Sequence, residues 1–200
     1  MPDIPPITRR ALLAGLVLLP ACAADIPDNS LPAQRAQAAA LTDEILALGP
    51  GIDPAEAARA ADLAYSYTAQ LARQYEIVDP PLVHNTKVNM GIKSRGLCWH
   101  WAEDMERRLK AEGFQTLAMH RAIASADNPF RIDHSTAIVS RAGDGMYDGI
   151  VLDPWRYGGV LHWDRTIEDI RYDWQPRTEV LEMKARARAA RNARATRLQR

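Results

Sequence analysis

Arg95–Met105 reads RGLCWHWAEDM, and the way this stretch folds decides the architecture. Cys98, Trp101, Ala102, Met105 and Leu109 recur at helical spacing and share one face. The pattern predicts a helix that starts near Gly96 or Leu97, is capped by Ser94, and runs to about Ala111 before Gly113 ends it. Cys98 then lies in the first turn, where the buried face begins. Downstream the period changes from helix to strand. Gln115–Ala124 reads as one strand, and His134–Ser140 (HSTAIVS) as a clearer one, apolar and β-branched. Ala142–Gly145 is a turn signal, and Gly149–Asp153 and Gly159–Trp163 read as two more strands. Beyond Thr166 the pattern weakens. A cysteine-bearing helix followed by consecutive strands predicts an α+β fold, with N-terminal helices and a small antiparallel sheet.

Upstream, Ala33–Leu48 is alanine-rich and helical by propensity, and Gly49-Pro50-Gly51 breaks it. Asp53-Pro54 supplies an N-cap and a first-turn proline for a second helix reaching about Tyr75, with Leu63, Tyr67, Leu71 and Tyr75 at helical spacing. Asp79-Pro80-Pro81 stops any continuation, and Val78–Arg95 reads as a long irregular stretch, a length at which loops are often functional.

The charge is balanced in number, 25 bases against 25 acids, but not in position. From Lys184 onward the chain holds seven bases and no acid, which leaves the body acidic. An acidic body argues against nucleic acid as a partner. The basic tail is either a solvated, partly helical end or a surface for anionic lipid or polymer.

Thr8-Arg9-Arg10 precedes a short apolar run that ends at Cys22. The run from Ala11 to Leu19 is too short to span a bilayer and has the layout of a targeting segment. Leu19-Pro20-Ala21-Cys22 resembles a bacterial lipobox with Cys22 as the lipidated residue, although Pro20 departs from the usual residue there and leaves simple cleavage nearby as an alternative. The paired arginines resemble a twin-arginine export signal, so the Sec and twin-arginine routes both stay open. These resemblances imply an exported lipoprotein anchored in the membrane and facing the periplasm. The organisation read is a signal segment over 1–22, a tether over 23–32, one α+β domain over 33–175 and a basic tail over 176–200. With Cys22 assigned to targeting, Cys98 has no intramolecular partner in an oxidising compartment.

A lone thiol there needs a reason. The thiolate is the reactive form, and a helix N-terminus favours it through unpaired N–H groups and the helix dipole. Those N–H groups also suit an oxyanion. A cysteine nucleophile needs a base, and the base needs a group to orient it. His134 opens a strand after the helix and Asp153 ends another, in VLDPWR. Each has a plainer reading: Cys98 as a small buried hydrophobe, His134 as a satisfied core histidine, and Asp153 before Pro154 as the start of a turn. His100 raises a metal reading, but Cys98 and His100 point to different helix faces and no zinc-type spacing is present. No dinucleotide-binding or phosphate-binding glycine pattern is found either, so neither a cofactor nor a metal is expected.

RGLCWHWAEDM, DHSTAIVS and VLDPW, in that order, resemble the transglutaminase-like and papain-like cysteine enzyme superfamily over roughly Asn89 to Trp163. The resemblance implies a cysteine helix packed on an antiparallel sheet, with Cys98 as nucleophile, His134 as general base and Asp153 orienting the histidine. No residue is identifiable as the glutamine that papain-like members place before the cysteine. Asn85, Asn89 and the Cys98 N–H are the oxyanion candidates, and Trp99 and Trp155 are candidate groove walls or packing residues. The implied activity is hydrolysis or acyl transfer on peptide or protein amides of the cell envelope, peptidoglycan peptides among them, through a thioacyl intermediate. Hydrolysis is favoured because no acceptor-amine site can be read. The competing reading is a non-catalytic envelope lipoprotein of the same fold that binds peptide or glycan.

Overall fold

The computed structural model describes residues 30–128 and 130–198. Cys22 and the signal segment lie outside the described residues. Ser30 caps α1 (Leu31–Leu46), its hydroxyl accepting from the Ala33 N–H at 3.4 Å. Asp53 caps α2 (Pro54–Gln74), its carboxylate accepting from the Ala55 and Glu56 N–H groups, with Pro54 pre-set for the first turn. Along α2 the fully buried Ala57, Ala60, Ala61 and Ala64 form a stripe of small residues. It lets α1 approach closely and seat Ala38, Leu41 and Ile45 in the same core.

Two further helices lie where the sequence reading is revised. Within Val78–Arg95, read as irregular, Pro81–Asn89 forms α3. The prolines that stop α2 also start α3, because proline is tolerated in a first helical turn. The cysteine helix α4 spans Cys98–Lys110, with Leu97 rather than Ser94 at the N-cap position. Its buried face carries Cys98, Trp101, Ala102, Met105 and Leu109 as the spacing predicts. Trp101, Met105 and Leu109 are each almost wholly buried, and such side chains contribute about 1.5–3 kcal/mol apiece.

The strands are β1 (Leu117–Ala124), β2 (His134–Arg141), β3 (Ile150–Asp153), β4 (His162–Arg165) and β5 (Trp174–Pro176). They form one antiparallel sheet in the order β4-β3-β2-β1-β5, and the fold is α+β. The strand expected at Gly159–Trp163 begins later, because Gly158 and Gly159 take positive φ and belong to the turn after β3. The weak pattern beyond Thr166 resolves into β5, which adds to the far edge beside β1, and α5 (Arg177–Leu198).

Helices α1, α2 and α4 cover one face of the sheet, meeting Ala137, Val139, Ile150 and Leu152. A smaller cluster of Ala122, Ala124, Ile138, Met146, Val151 and Trp174 fills the other face. The central strand β2 is therefore buried on both sides over His134–Ser140. The buried Glu56 carboxylate accepts from the Gln115 N–H at 2.8 Å and the Thr116 hydroxyl at 2.6 Å, fastening the start of α2 to the entry of β1. The basic tail is carried on α5, anchored by buried Val180 and by an ion pair between Lys184 and Asp133. Among the described residues, no helix is long and apolar enough to cross a membrane.

Candidate active site

The start of α4 is built by three residues around Cys98. Gly96 has φ +122°, and a Cβ there would lie 2.3 Å from His84 Nε2. Only glycine permits both the backbone turn and the close seat of the His84 ring. His84 is buried on α3, with Nε2 2.9 Å from the Arg95 carbonyl oxygen, so its ring pins the chain just ahead of the helix. His100 Nδ1 then accepts from both the Gly96 and Leu97 N–H groups at 3.1 Å. His100, at the third position of the helix, thus reaches back to the chain ahead of it, and no side chain takes the N-cap role expected of Ser94. Burial, reinforced by the nearby Arg95 charge, pushes the His100 pKa down, which keeps Nδ1 an acceptor. With His100 Nδ1 spent on Gly96 and Leu97, the Cys98 and Trp99 N–H groups have no acceptor among the described residues.

Cys98, the first residue of α4, is buried and free. Its sulfur donates to the Asp133 carbonyl oxygen at 3.6 Å, which sets the thiol against the residue preceding His134. His134 opens β2, and its Nε2 lies 2.7 Å from Asp153 Oδ2 at the end of β3. The two adjacent antiparallel strands bring both side chains to one end of the sheet, beside the start of α4. Burial alone lowers a histidine pKa. Here the Asp153 carboxylate, and after it the neighbouring Cys98, reverse this and raise His134 to about 9. No hydrogen bond to His134 Nδ1 forms in this arrangement; the sulfur is placed by its contact with the Asp133 carbonyl, one residue before the ring. With Nε2 committed to Asp153, Nδ1 is the nitrogen left to exchange a proton with the thiol.

Asp153 is wholly buried, and burial pushes its pKa up. The His134 ring and the Arg156 guanidinium overcome that and hold it down at about 2. Arg156 Nε donates to Asp153 Oδ2 at 3.0 Å, and the Arg156 N–H donates to Oδ1 at 3.2 Å. The other end of the guanidinium meets Asp169, which also accepts from Trp174 Nε1 at 2.9 Å. A continuous buried chain thus runs from His134 through Asp153, Arg156 and Asp169 to Trp174. The His134 ring sits among Trp155, Tyr172 and Trp174, with ring centroids 4.7, 4.5 and 5.3 Å away.

The remaining candidates divide. Trp155 packs on His134 and donates from Nε1 to Asn85 Oδ1 at 3.0 Å. Asn85, on α3, is thereby tied to the indole that packs on the histidine, and its Nδ2 makes no hydrogen bond among the described residues. Asn89 ends α3 and is exposed, with no hydrogen bond to this group. Trp99 is half exposed and stacks on His100, with ring centroids 3.8 Å apart, on the solvent side of the α4 start. His134 opens onto a cleft of about 440 Å³ whose lining includes Pro81, Leu82, Ile132, Trp155, Arg171 and Tyr172.

Sequence reasoning missed Arg156, Asp169, Tyr172 and Trp174, and the capping role of His100. Arg156 carried one signal, its place three residues after Asp153 in a DPWR turn. Asp169 and Trp174 carried none, because they reach the site only through the return of the chain to β5. No family model, no curated protein and no solved structure matches the chain.

Proposed function

We propose that this chain is a cysteine hydrolase or acyltransferase of the transglutaminase-like class, acting on peptide or protein amides of the cell envelope. The observation that carries the reading is the buried His134 ring, bonded to Asp153 and directly following Asp133, whose carbonyl oxygen takes the Cys98 sulfur. Asp153 stays ionised at working pH and, by holding His134 up near 9, favours the ion pair in which the thiol proton resides on Nδ1 of an imidazolium beside the Cys98 thiolate. The Cys98 thiolate then attacks the carbonyl carbon, and the tetrahedral oxyanion forms against the Cys98 and Trp99 N–H groups, which have no acceptor among the described residues. As the C–N bond breaks, the His134 imidazolium gives its proton to the leaving amine, leaving a thioester on Cys98. Water, deprotonated by the same nitrogen, attacks the thioester and releases the carboxylic acid with the thiol restored. An amine taking the place of water gives transfer instead. The lipobox-like Cys22 would hold the enzyme at the envelope, where such amides are found.

The test uses p-nitrophenyl acetate and iodoacetamide on the full chain. The reading expects a burst of p-nitrophenol with acetylation of Cys98 seen by mass spectrometry, none in Cys98→Ser, and a loss of about 10²–10⁴ in rate in His134→Ala. A Cys98 that reacts with both reagents no faster than free cysteine, unchanged by His134→Ala, would overturn it and leave the peptide- or glycan-binding reading.

A further inference from the structure

The cleft in front of His134 carries more positive charge than the triad uses. Of its three arginines, Arg156 is buried and neutralised by Asp153 and Asp169. Arg131 and Arg171 are exposed, and no carboxylate pairs with either among the described residues. The nearest cleft acid, Asp133, is already paired with Lys184 of α5. The two free guanidiniums are also held together. Arg131 Nη2 donates to the Arg171 carbonyl oxygen at 3.4 Å, and both sit against the Tyr172 ring, 5.6 and 5.9 Å from its centroid. That ring lies 4.5 Å from the His134 ring. Two like charges gathered about one aromatic ring repel unless an anion joins them, and in this chain they stand out against an acidic body. Opposite them the cleft is apolar, with Pro80, Pro81 and Leu82.

Resting on the cysteine-enzyme reading above, we propose that Arg131 and Arg171 form a carboxylate-binding subsite. The substrate is then an amide whose acyl or amine part bears a free carboxylate close to the scissile carbonyl, with an apolar portion against Pro81 and Leu82. The carboxylate accepts hydrogen bonds from the two guanidiniums and so places the carbonyl before the sulfur. The pair selects acidic peptides and terminal carboxylates over neutral amides of the same size.

Two alkylating reagents that differ in one charge test this without knowledge of the natural substrate. Iodoacetate and iodoacetamide both react by thiolate displacement of iodide, and their rates on Cys98 are compared in the wild type, Arg131→Gln/Arg171→Gln and Arg35→Gln. The His134 imidazolium favours iodoacetate in every variant, so the change in the rate ratio is the readout. The double variant is expected to lower the iodoacetate-to-iodoacetamide ratio about three- to tenfold at low salt, the gap narrowing as salt is added. Arg35→Gln, which removes one positive charge from an exposed position on α1, away from the cleft, leaves the ratio unchanged. A ratio equal in wild type and double variant, with Cys98 still labelled faster than free cysteine, overturns the subsite and spares the enzyme reading. An inert thiol overturns the enzyme reading instead. The subsite is then judged by acetate titration of the Trp155 indole N–H resonance. A saturable shift lost in the double variant supports the subsite, and identical titrations refute it.

Discussion

Stability should depend on pH through one buried pair. His134 has an ordinary value of 6.5 in the unfolded chain and about 9 in the fold, because Asp153 and Cys98 outweigh its burial. A folded pKa raised this far means that the native state holds the proton more tightly than the unfolded chain. The stabilisation is fully present below the unfolded value and is lost as pH rises through the folded one. For this shift the effect is about 3 kcal/mol. The depressed Asp153 value reflects largely the same contact seen from the other partner, so the two are not added. Lysines, tyrosines and the thiol also titrate in alkali, so the comparison needs a variant that lacks only the histidine titration. Urea unfolding of wild type and His134→Gln between about pH 6 and about pH 10 supplies it. The wild type is expected to lose about 3 kcal/mol relative to the variant over that range. The His134 Cε1 proton, followed by NMR, is expected to titrate well above the ordinary histidine range. Parallel pH profiles for the two proteins, or a His134 resonance titrating at or below 6.5, would show that the ring is not held by the carboxylate as described.

Three other substitutions probe the scaffold around the pair. Gly96→Ala forces a Cβ against the His84 ring at a positive φ; a loss of about 2–4 kcal/mol in urea unfolding is expected, with slower Cys98 alkylation as the α4 start shifts. Arg156→Met leaves Asp153 and Asp169 buried without their shared cation, at a cost of about 3–5 kcal/mol, and the double variant Arg156→Met/Asp169→Asn is expected to recover part of it. Trp101→Ala empties the contact of α4 with Leu71 and Tyr75 and frees the Gly96 carbonyl that the indole holds; calorimetric or urea measurements are expected to show about 3–5 kcal/mol lost, and a loss below 1 would contradict its burial.

The helix–strand plan was legible because burial writes a period into the chain. On α4 one face is apolar, and on α2 the alanine stripe and the Asp53-Pro54 start are both visible in the letters. The strand β2 was legible for a different reason, since both of its faces are covered and its centre is the apolar run Ala137-Ile138-Val139. What failed was local punctuation. Asp79-Pro80-Pro81 carries a stop for one helix and a start for the next, and a single sequence shows only the stop. The short β4 and β5 hold too few residues to display a period, and β5 exists because β1 offers it an edge. The start of α4 was misplaced because Leu97 takes the N-cap position without a side-chain cap, and His100 reaches back to the Gly96 and Leu97 N–H groups as a Glu or Gln at that position ordinarily does.

The site divides along the same line. Cys98, His134 and Asp153 were legible as candidates because each stands at an element boundary, where side chains from different strands and helices meet. The charges around them were not, since they depend on which acid each arginine finds. Arg156, Arg131 and Arg171 are indistinguishable in composition, yet Arg156 is enclosed between Asp153 and Asp169 while the other two face the cleft without a carboxylate. The enclosed one fixes Asp153, and through it the His134 ring. The two open ones leave a positive field at the mouth of the same cleft. The buried ion pairs and the open positive charge thus fall to different arginines. Neutral substitutions of Arg131 and Arg171 should therefore lower selectivity for charged reagents without the loss of stability expected of Arg156→Met. Equal destabilisation by all three would mean that the cleft arginines belong to the buried network after all.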